Sequence, residues 1–309
     1  MQSSFCDVRS LAAVAICLAL AAPAAAAPPR SIAEAPIRTV NAGQGKIGYR
    51  SVGEGKPLVL IMGLSGTMDA WPPGFVDALA ARRRVITFDN EGIRRTTLGR
   101  GALTIGRMAD DAASLIRALK LRRADVLGWS MGGMIAQSLA RQHPRRVRRL
   151  VLCATAPGDG RATPPAPDVL AQFAAGTADV FQLLFPPGHE SAAQAYIRAV
   201  ASYPHSSPVA PPAVTRAQFG ASANWLDGAD RSGRPLSRLR LPVLVGGGAL
   251  DRLLPVANQR HLAAALPNAR LRVYPDAAHG FIVQHQREFT PVVDRFLRAK
   301  APRPRTRSR

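Results

Sequence analysis

Five short runs dominated by apolar residues recur along the chain: Leu58–Met62, Val85–Phe88, Val126–Trp129, Arg149–Ala154 and Val243–Val245. Runs of this length, bounded by turn residues, suit strands covered on both faces. Lys46–Val52 and Leu271–Tyr274 alternate instead, as half-buried strands do. Helical patterns lie between the runs. Thr104 is placed to cap a helix with apolar positions at Ile105, Met108, Ala112, Leu115, Ile116 and Leu119. Met131–His143 stops before Pro144, Pro255–Leu266 opens on proline, and Phe289–Leu297 lies in a fourth helix. Strands that alternate with helices predict an α/β fold, a mostly parallel, doubly wound sheet with helices on both faces.

The alternation breaks between about Gly158 and Leu239, a stretch rich in Ala, Pro and aromatics. Phe173, Phe181, Phe185, Tyr196, Tyr203, Phe219 and Trp225 fall there. The reading is a helical cap over residues 158–239, set between two parts of one core, residues 28–157 and 240–299. The cap aromatics point to an apolar pocket. Residues 300–309, with Lys300, Arg303, Arg305, Arg307 and Arg309, read as a basic disordered tail.

At the other end, Arg9 precedes an apolar run from Leu11 to Ala22 and small residues at Ala24 to Ala27. That order reads as a signal peptide over residues 1–27, cut near Ala26 or Ala27, with export to a periplasm or the medium. The run is too short to span a membrane comfortably, and no other run approaches the roughly 18 residues required. Cys6 and Cys17 would leave with the leader. Cys153 would remain, and one cysteine forms no internal disulfide.

With 41 Lys+Arg against 20 Asp+Glu, the formal charge is +21, and 37 of the basic residues are Arg. Such an excess raises the possibility of a polyanion partner. The runs Arg82–Arg84, Arg122-Arg123, Arg145-Arg146 and Arg148-Arg149, however, fall at helix ends and helix-to-strand connections. Arginine beside C-terminal carbonyls is ordinary there. No nucleic-acid motif with interleaved aromatics accompanies them. The expectation is no specific nucleic-acid partner and weak adsorption to anionic surfaces. No Cys pair, H-E-x-x-H, phosphate loop or G-x-G-x-x-G string occurs, so neither a metal nor a cofactor is expected.

Gly128-Trp129-Ser130-Met131-Gly132 follows an apolar strand and opens a helix. This is the context of a nucleophile elbow. Glycines at positions 128 and 132 leave room for a sharp turn, and backbone N–H groups at the helix start favour developing negative charge. A serine hydroxyl needs a base. Of six histidines, His279 lies in the loop after the last strand, where a doubly wound sheet places ligands. His285, five residues on, is the runner-up. His143 reads as a helix-end residue and His261 as a surface residue, and His189 and His205 fall in the insertion. The base needs an orienting carboxylate. Asp251 follows Gly246-Gly247-Gly248, read as a tight turn after a strand, and Asp159 is the alternative acid.

With the order Ser130, Asp251, His279, each after a predicted strand, the chain resembles the α/β-hydrolase superfamily over roughly Ile37 to Leu297. The resemblance implies an oxyanion hole from the N–H groups of Leu64 and Met131. The family's His-Gly-x-x-Gly loop reads Met62-Gly63-Leu64-Ser65-Gly66 here, and its Asp-x-Arg-Gly-x-Gly loop has Glu91 and Arg94 in place of Arg and the second Gly. A Ser nucleophile sets the chain apart from the haloalkane dehalogenase and epoxide hydrolase branches, which resemble it but use Asp. The expected enzyme is a serine hydrolase that cleaves a small apolar ester or lactone through an acyl-enzyme. A non-catalytic protein of the same fold and a basic surface-adhering protein are the competing readings.

Overall fold

The computed structural model describes residues 30–175, 177–204 and 210–299. The leader of residues 1–27, the tail of residues 300–309 and His205 lie outside them. Eight strands form one sheet: β1 (Arg38–Ala42), β2 (Gly45–Val52), β3 (Pro57–Ile61), β4 (Arg84–Phe88), β5 (Ala124–Trp129), β6 (Val147–Cys153), β7 (Val243–Gly248) and β8 (Ala269–Tyr274). Their spatial order is β1-β2-β4-β3-β5-β6-β7-β8. β2 pairs antiparallel with β1 and β4, and every other pairing is parallel.

Helices follow the strands: α1 (Pro73–Ala80), α2 (Ile105–Ala118), α3 (Met131–Gln142), α4 (Pro167–Ala175), α5 (Val180–Leu184), α6 (Glu190–Ala201), α7 (Pro212–Leu226), α8 (Val256–Ala265), α9 (Phe281–Gln284) and α10 (Gln286–Arg298). Thr104 caps α2, its hydroxyl accepting from the N–H of Arg107 at 3.1 Å. Side chains alternate across each central strand, so each strand feeds two cores. Val59, Ile61, Val126, Leu150 and Val245 pack with α2, α3 and α8. Leu58, Leu60, Leu127, Val151 and Leu244 pack on the opposite face with α1 and α10.

The sheet corrects one local expectation. Gly246-Gly247-Gly248 does not form a turn but is the end of β7 itself. Its glycines permit close approach. A β-carbon at Gly248 would lie 2.1 Å from the carbonyl oxygen of Ala277, and one at Gly246 would lie 2.9 Å from the Phe281 ring. β1 is an edge strand of mostly exposed residues that the apolar pattern did not reveal.

Helices α4–α7 leave the sheet after β6 and return to β7. Three of the aromatics expected to line a pocket instead fasten these helices to the core. The hydroxyl of Tyr196 donates to the Ala70 carbonyl at 2.9 Å and that of Tyr203 to the Trp71 carbonyl at 2.8 Å. The indole of Trp225, fully buried, donates to the Ala156 carbonyl at 3.1 Å. Phe219 is exposed and meets Phe173.

Some of the basic excess is interior. Arg83 and Arg148 both pair with buried Asp125, at 3.1 and 2.8 Å, and Arg50 pairs with buried Asp69 at 2.9 Å. No helix among the described residues is long and apolar enough to cross a membrane.

Candidate active site

The strand order fixes where a ligand can sit. The chain runs from β3 outward to β4, then crosses to β5 on the other side of β3. A crevice therefore opens at the carboxyl ends of β3 and β5. Ile61 of β3 lies in register with Gly128 of β5, so residues 62–66 and Ser130 emerge side by side.

Ser130 has φ 59° and ψ −126°, a sparsely populated conformation for a residue with a β-carbon. Its N–H donates to the Cys153 carbonyl at 2.9 Å, and its carbonyl accepts from Gly133 at 2.8 Å. The flanking glycines are obligatory contacts. A β-carbon at Gly128 would lie 2.1 Å from the Gly132 carbonyl oxygen, and one at Gly132 would lie 2.0 Å from that of Ile61. Cys153 beneath the elbow is buried, and burial pushes its thiol well above the usual range, which keeps it protonated.

Asp251 and His279 meet. Nδ1 of His279 lies 2.8 Å from Oδ2 of Asp251, and both side chains are almost fully buried. The other Asp251 oxygen accepts from the N–H groups of Leu253 and Leu254 at 2.9 and 2.8 Å. One oxygen thus shapes the turn while the other faces the imidazole. The His279 ring stacks against Trp129, with centroids 6.2 Å apart, and the Trp129 indole donates to the His279 carbonyl at 3.1 Å. These contacts fix His279 beside the residue that precedes Ser130.

The alternative residues are engaged elsewhere. Asp159 pairs with His261 at 2.6 Å, so His261 is a half-buried partner instead of a free surface residue. His285 stacks on Tyr274 and lies 2.9 Å from Asp276. His143 closes α3 and lies 2.6 Å from Asp110. His189 is the N-cap of α6.

The segment at residues 62–66 abuts the serine, because a β-carbon at Gly63 would lie 2.9 Å from Cβ of Ser130. Among the described residues, the N–H groups of Leu64 and Met131 donate to no other protein group. Met131 occupies the first turn of α3, where an N–H has no partner within the helix.

A family profile, described as the alpha/beta hydrolase fold, matches residues 56–286. The chain belongs to the α/β-hydrolase family. It is 32% identical over 258 residues to a putative carbamate hydrolase of Caulobacter sp. (strain K31), covering 79% of this chain and 91% of that one. It is 31% identical over 256 residues to a pimeloyl-[acyl-carrier protein] methyl ester esterase of Aeromonas hydrophila subsp. hydrophila, covering 79% and 96%. The crystal structure of an enol-lactonase from Burkholderia xenovorans LB400 superposes with a TM-score of 0.68 at 25% identity, covering 85% of this chain and all of that one.

This α/β-hydrolase accommodates its two altered loops with specific contacts. The Asn90 amide donates to the Met62 carbonyl at 2.9 Å, and the Met62 side chain fills the space that Gly66 leaves open. Glu91 forms a buried ion pair with Arg107, whose Nε donates at 2.8 Å. Arg94 pairs with Asp69. Asp89 accepts from the Met68 N–H at 2.7 Å, and burial pushes its carboxyl up to about 7. The bracing roles of Asn90 and Trp129 left no mark in the sequence, because neither residue type at those positions carries a spacing signal. Among the described residues no group of three or more His, Cys, Asp or Glu could hold a metal.

Proposed function

We propose that the protein is a serine hydrolase that cleaves a small apolar carboxylic ester or lactone through an acyl-enzyme. The observation that carries this reading is the buried His279–Asp251 contact beside the strained elbow at Ser130. The names of the relatives (a carbamate hydrolase, a methyl ester esterase and an enol-lactonase) are consistent with it.

In this scheme the hydroxyl oxygen of Ser130 attacks the acyl carbon as its proton passes to Nε2 of His279. The Nδ1–H of His279 donates to Asp251, which holds the ring in that tautomer and stabilises it when charged. The N–H groups of Leu64 and Met131 receive the negative oxygen of the tetrahedral intermediate. That intermediate collapses, and the departing alkoxide takes the proton from Nε2. Water then adds to the acyl carbon, giving a proton to Nε2, and the acid leaves as the Ser130 hydroxyl is restored. The preference for an uncharged acyl group rests on the apolar neighbours of the elbow in sequence, Trp129 and Met131, both buried.

The test is a panel of ester, lactone and thioester substrates, with wild type and Ser130→Ala, alongside labelling by a fluorophosphonate. Turnover and labelling in wild type, both lost in Ser130→Ala, are expected. Turnover unchanged in Ser130→Ala overturns the assignment, and an unlabelled wild type favours a non-catalytic protein of this fold.

The leader-like residues 1–27 support an exported enzyme, and exported protein that begins at Met1 would refute cleavage. A shallow depression lined by Arg122, Arg123, Arg145 and Arg146 supports weak adsorption to anionic surfaces. Elution from heparin at moderate salt is expected, and failure to bind at low salt would refute it.

A further inference from the structure

We propose that Gln218, on α7, is a positioning residue for the oxyanion loop, an inference that rests on the serine-hydrolase reading. Gln218 is fully buried, and its Oε1 accepts from the N–H of Ser65 at 2.8 Å across 153 residues of sequence. The Ser65 carbonyl in turn accepts from the N–H of Ala210 at 2.7 Å. The peptides on either side of Ser65, one through its N–H and the other through its carbonyl, are thus both held from the inserted segment. Ser65 itself has φ 61°, a left-handed conformation that costs a serine energy and persists when its surroundings enforce it.

The neighbouring peptide carries the Leu64 N–H. The same loop touches Ser130 through Gly63, while Asn90 holds the Met62 carbonyl from the core side. The loop is therefore fixed by the core at its start and by the inserted helices at its end. Rotation of the Leu64–Ser65 peptide would turn the adjoining Leu64 N–H away from the oxyanion.

The amide orientation of Gln218 follows from chemistry. An N–H can only donate, so the glutamine oxygen must face Ser65. Its Nε2 is then left buried with no partner among the described residues. A methionine or leucine would fill the same space without stranding a donor. What the glutamine supplies beyond packing is the acceptor for Ser65. Seating of the helices over the core would in this way set the geometry of the oxyanion site.

The experiment compares wild type, Gln218→Met and Gln218→Glu on the best ester from the substrate panel, with fluorophosphonate labelling rates and Tm. Gln218→Met keeps the volume and removes the acceptor, whereas Gln218→Glu keeps an acceptor oxygen. A fall of about 10- to 100-fold in kcat with KM unchanged is expected for Gln218→Met, with labelling slowed in parallel. Gln218→Glu should recover most of that loss. Wild-type kcat in Gln218→Met, or a loss that Gln218→Glu fails to recover, overturns the proposal. Failure of the hydrolase reading itself is distinct, since it would show as wild-type protein that neither turns over the panel nor labels.

Discussion

The close approach of β7 to the His279 loop leaves no room for a side chain at Gly248. In Gly248→Ala, the new β-carbon would lie 2.1 Å from the Ala277 carbonyl oxygen and 2.4 Å from that of Ala278. Both are backbone atoms that no rotamer change can move. Ordinary contact starts near 3.4 Å, so the segment must retreat by about 1.3 Å. Gly248 is not among the glycines with positive φ, so the effect is steric and owes nothing to backbone strain. A displacement of this size at a reacting group costs roughly 100-fold in rate. Overpacking adds about 1–3 kcal/mol of destabilisation. For a chain of this length that lowers Tm by roughly 2–12 °C. Steady-state ester turnover and thermal unfolding check the two numbers on the same preparation. Gly220→Ala is the control. It lies exposed in α7, meets nothing within 4 Å and should gain roughly 0.5–1 kcal/mol. Wild-type turnover in Gly248→Ala would show that the loop yields freely, and the argument for a rigidly placed His279 would fail.

Asp251→Asn should lower kcat by roughly 10⁴-fold while the protein stays folded, because the amide reverses the donor pattern facing Nδ1. Turnover within tenfold of wild type would exclude Asp251 as the orienting group. Burial raises the Asp89 carboxyl to about 7, so its proton is held more tightly in the folded chain than in the unfolded one. Stability from this group is full below about pH 4 and falls as pH rises through 7, by on the order of 4 kcal/mol in total. Asp89→Asn, whose amide oxygen can still accept from Met68, should therefore be more stable than wild type at pH 8. The gap should shrink at pH 5, as read by urea midpoints, and an equal gap at both values would refute the assignment. Trp225→Ala should cost about 3–5 kcal/mol in urea unfolding. Trp225→Phe should cost less, since Gln137 also donates to the Ala156 carbonyl, at 3.0 Å. Equal losses in the two would show that the indole hydrogen bond, and not the ring volume, is what matters.

The central strands were legible because each is covered on two faces, so Leu58–Met62 and Val126–Trp129 stand out as continuous apolar runs. β1, at the edge with exposed side chains, has no such run. Ser130, Asp251 and His279 could be picked out because each follows a strand that the pattern reveals. Asp251 was read as the partner of His279 with Asp159 as the alternative acid; that Asp159 turns instead to His261 on α8 was not legible, because both carboxylates follow strands. The triple glycine misled for a related reason. Sequence shows that a side chain is missing but not whether a turn or a neighbouring backbone needs the space. The aromatics between residues 158 and 239 likewise looked like pocket walls, yet Tyr196, Tyr203 and Trp225 spend their polar tips on core carbonyls.

Helices α4–α7 depart from the end of β6 and rejoin at β7, its immediate parallel neighbour, with Cys153 opposite Gly246. The whole excursion is therefore a cassette whose two ends meet the core at one place. Among the described residues no strand of the sheet lies within it, so every strand register is set outside it. A transplanted segment has to supply donors for the carbonyls of Ala70, Trp71 and Ala156, and an acceptor for the N–H of Ser65. It must also keep a donor on the Ser65 carbonyl, as Ala210 provides, and acceptors for the N–H groups of His279 and Gly280, as Leu183 and Leu184 provide.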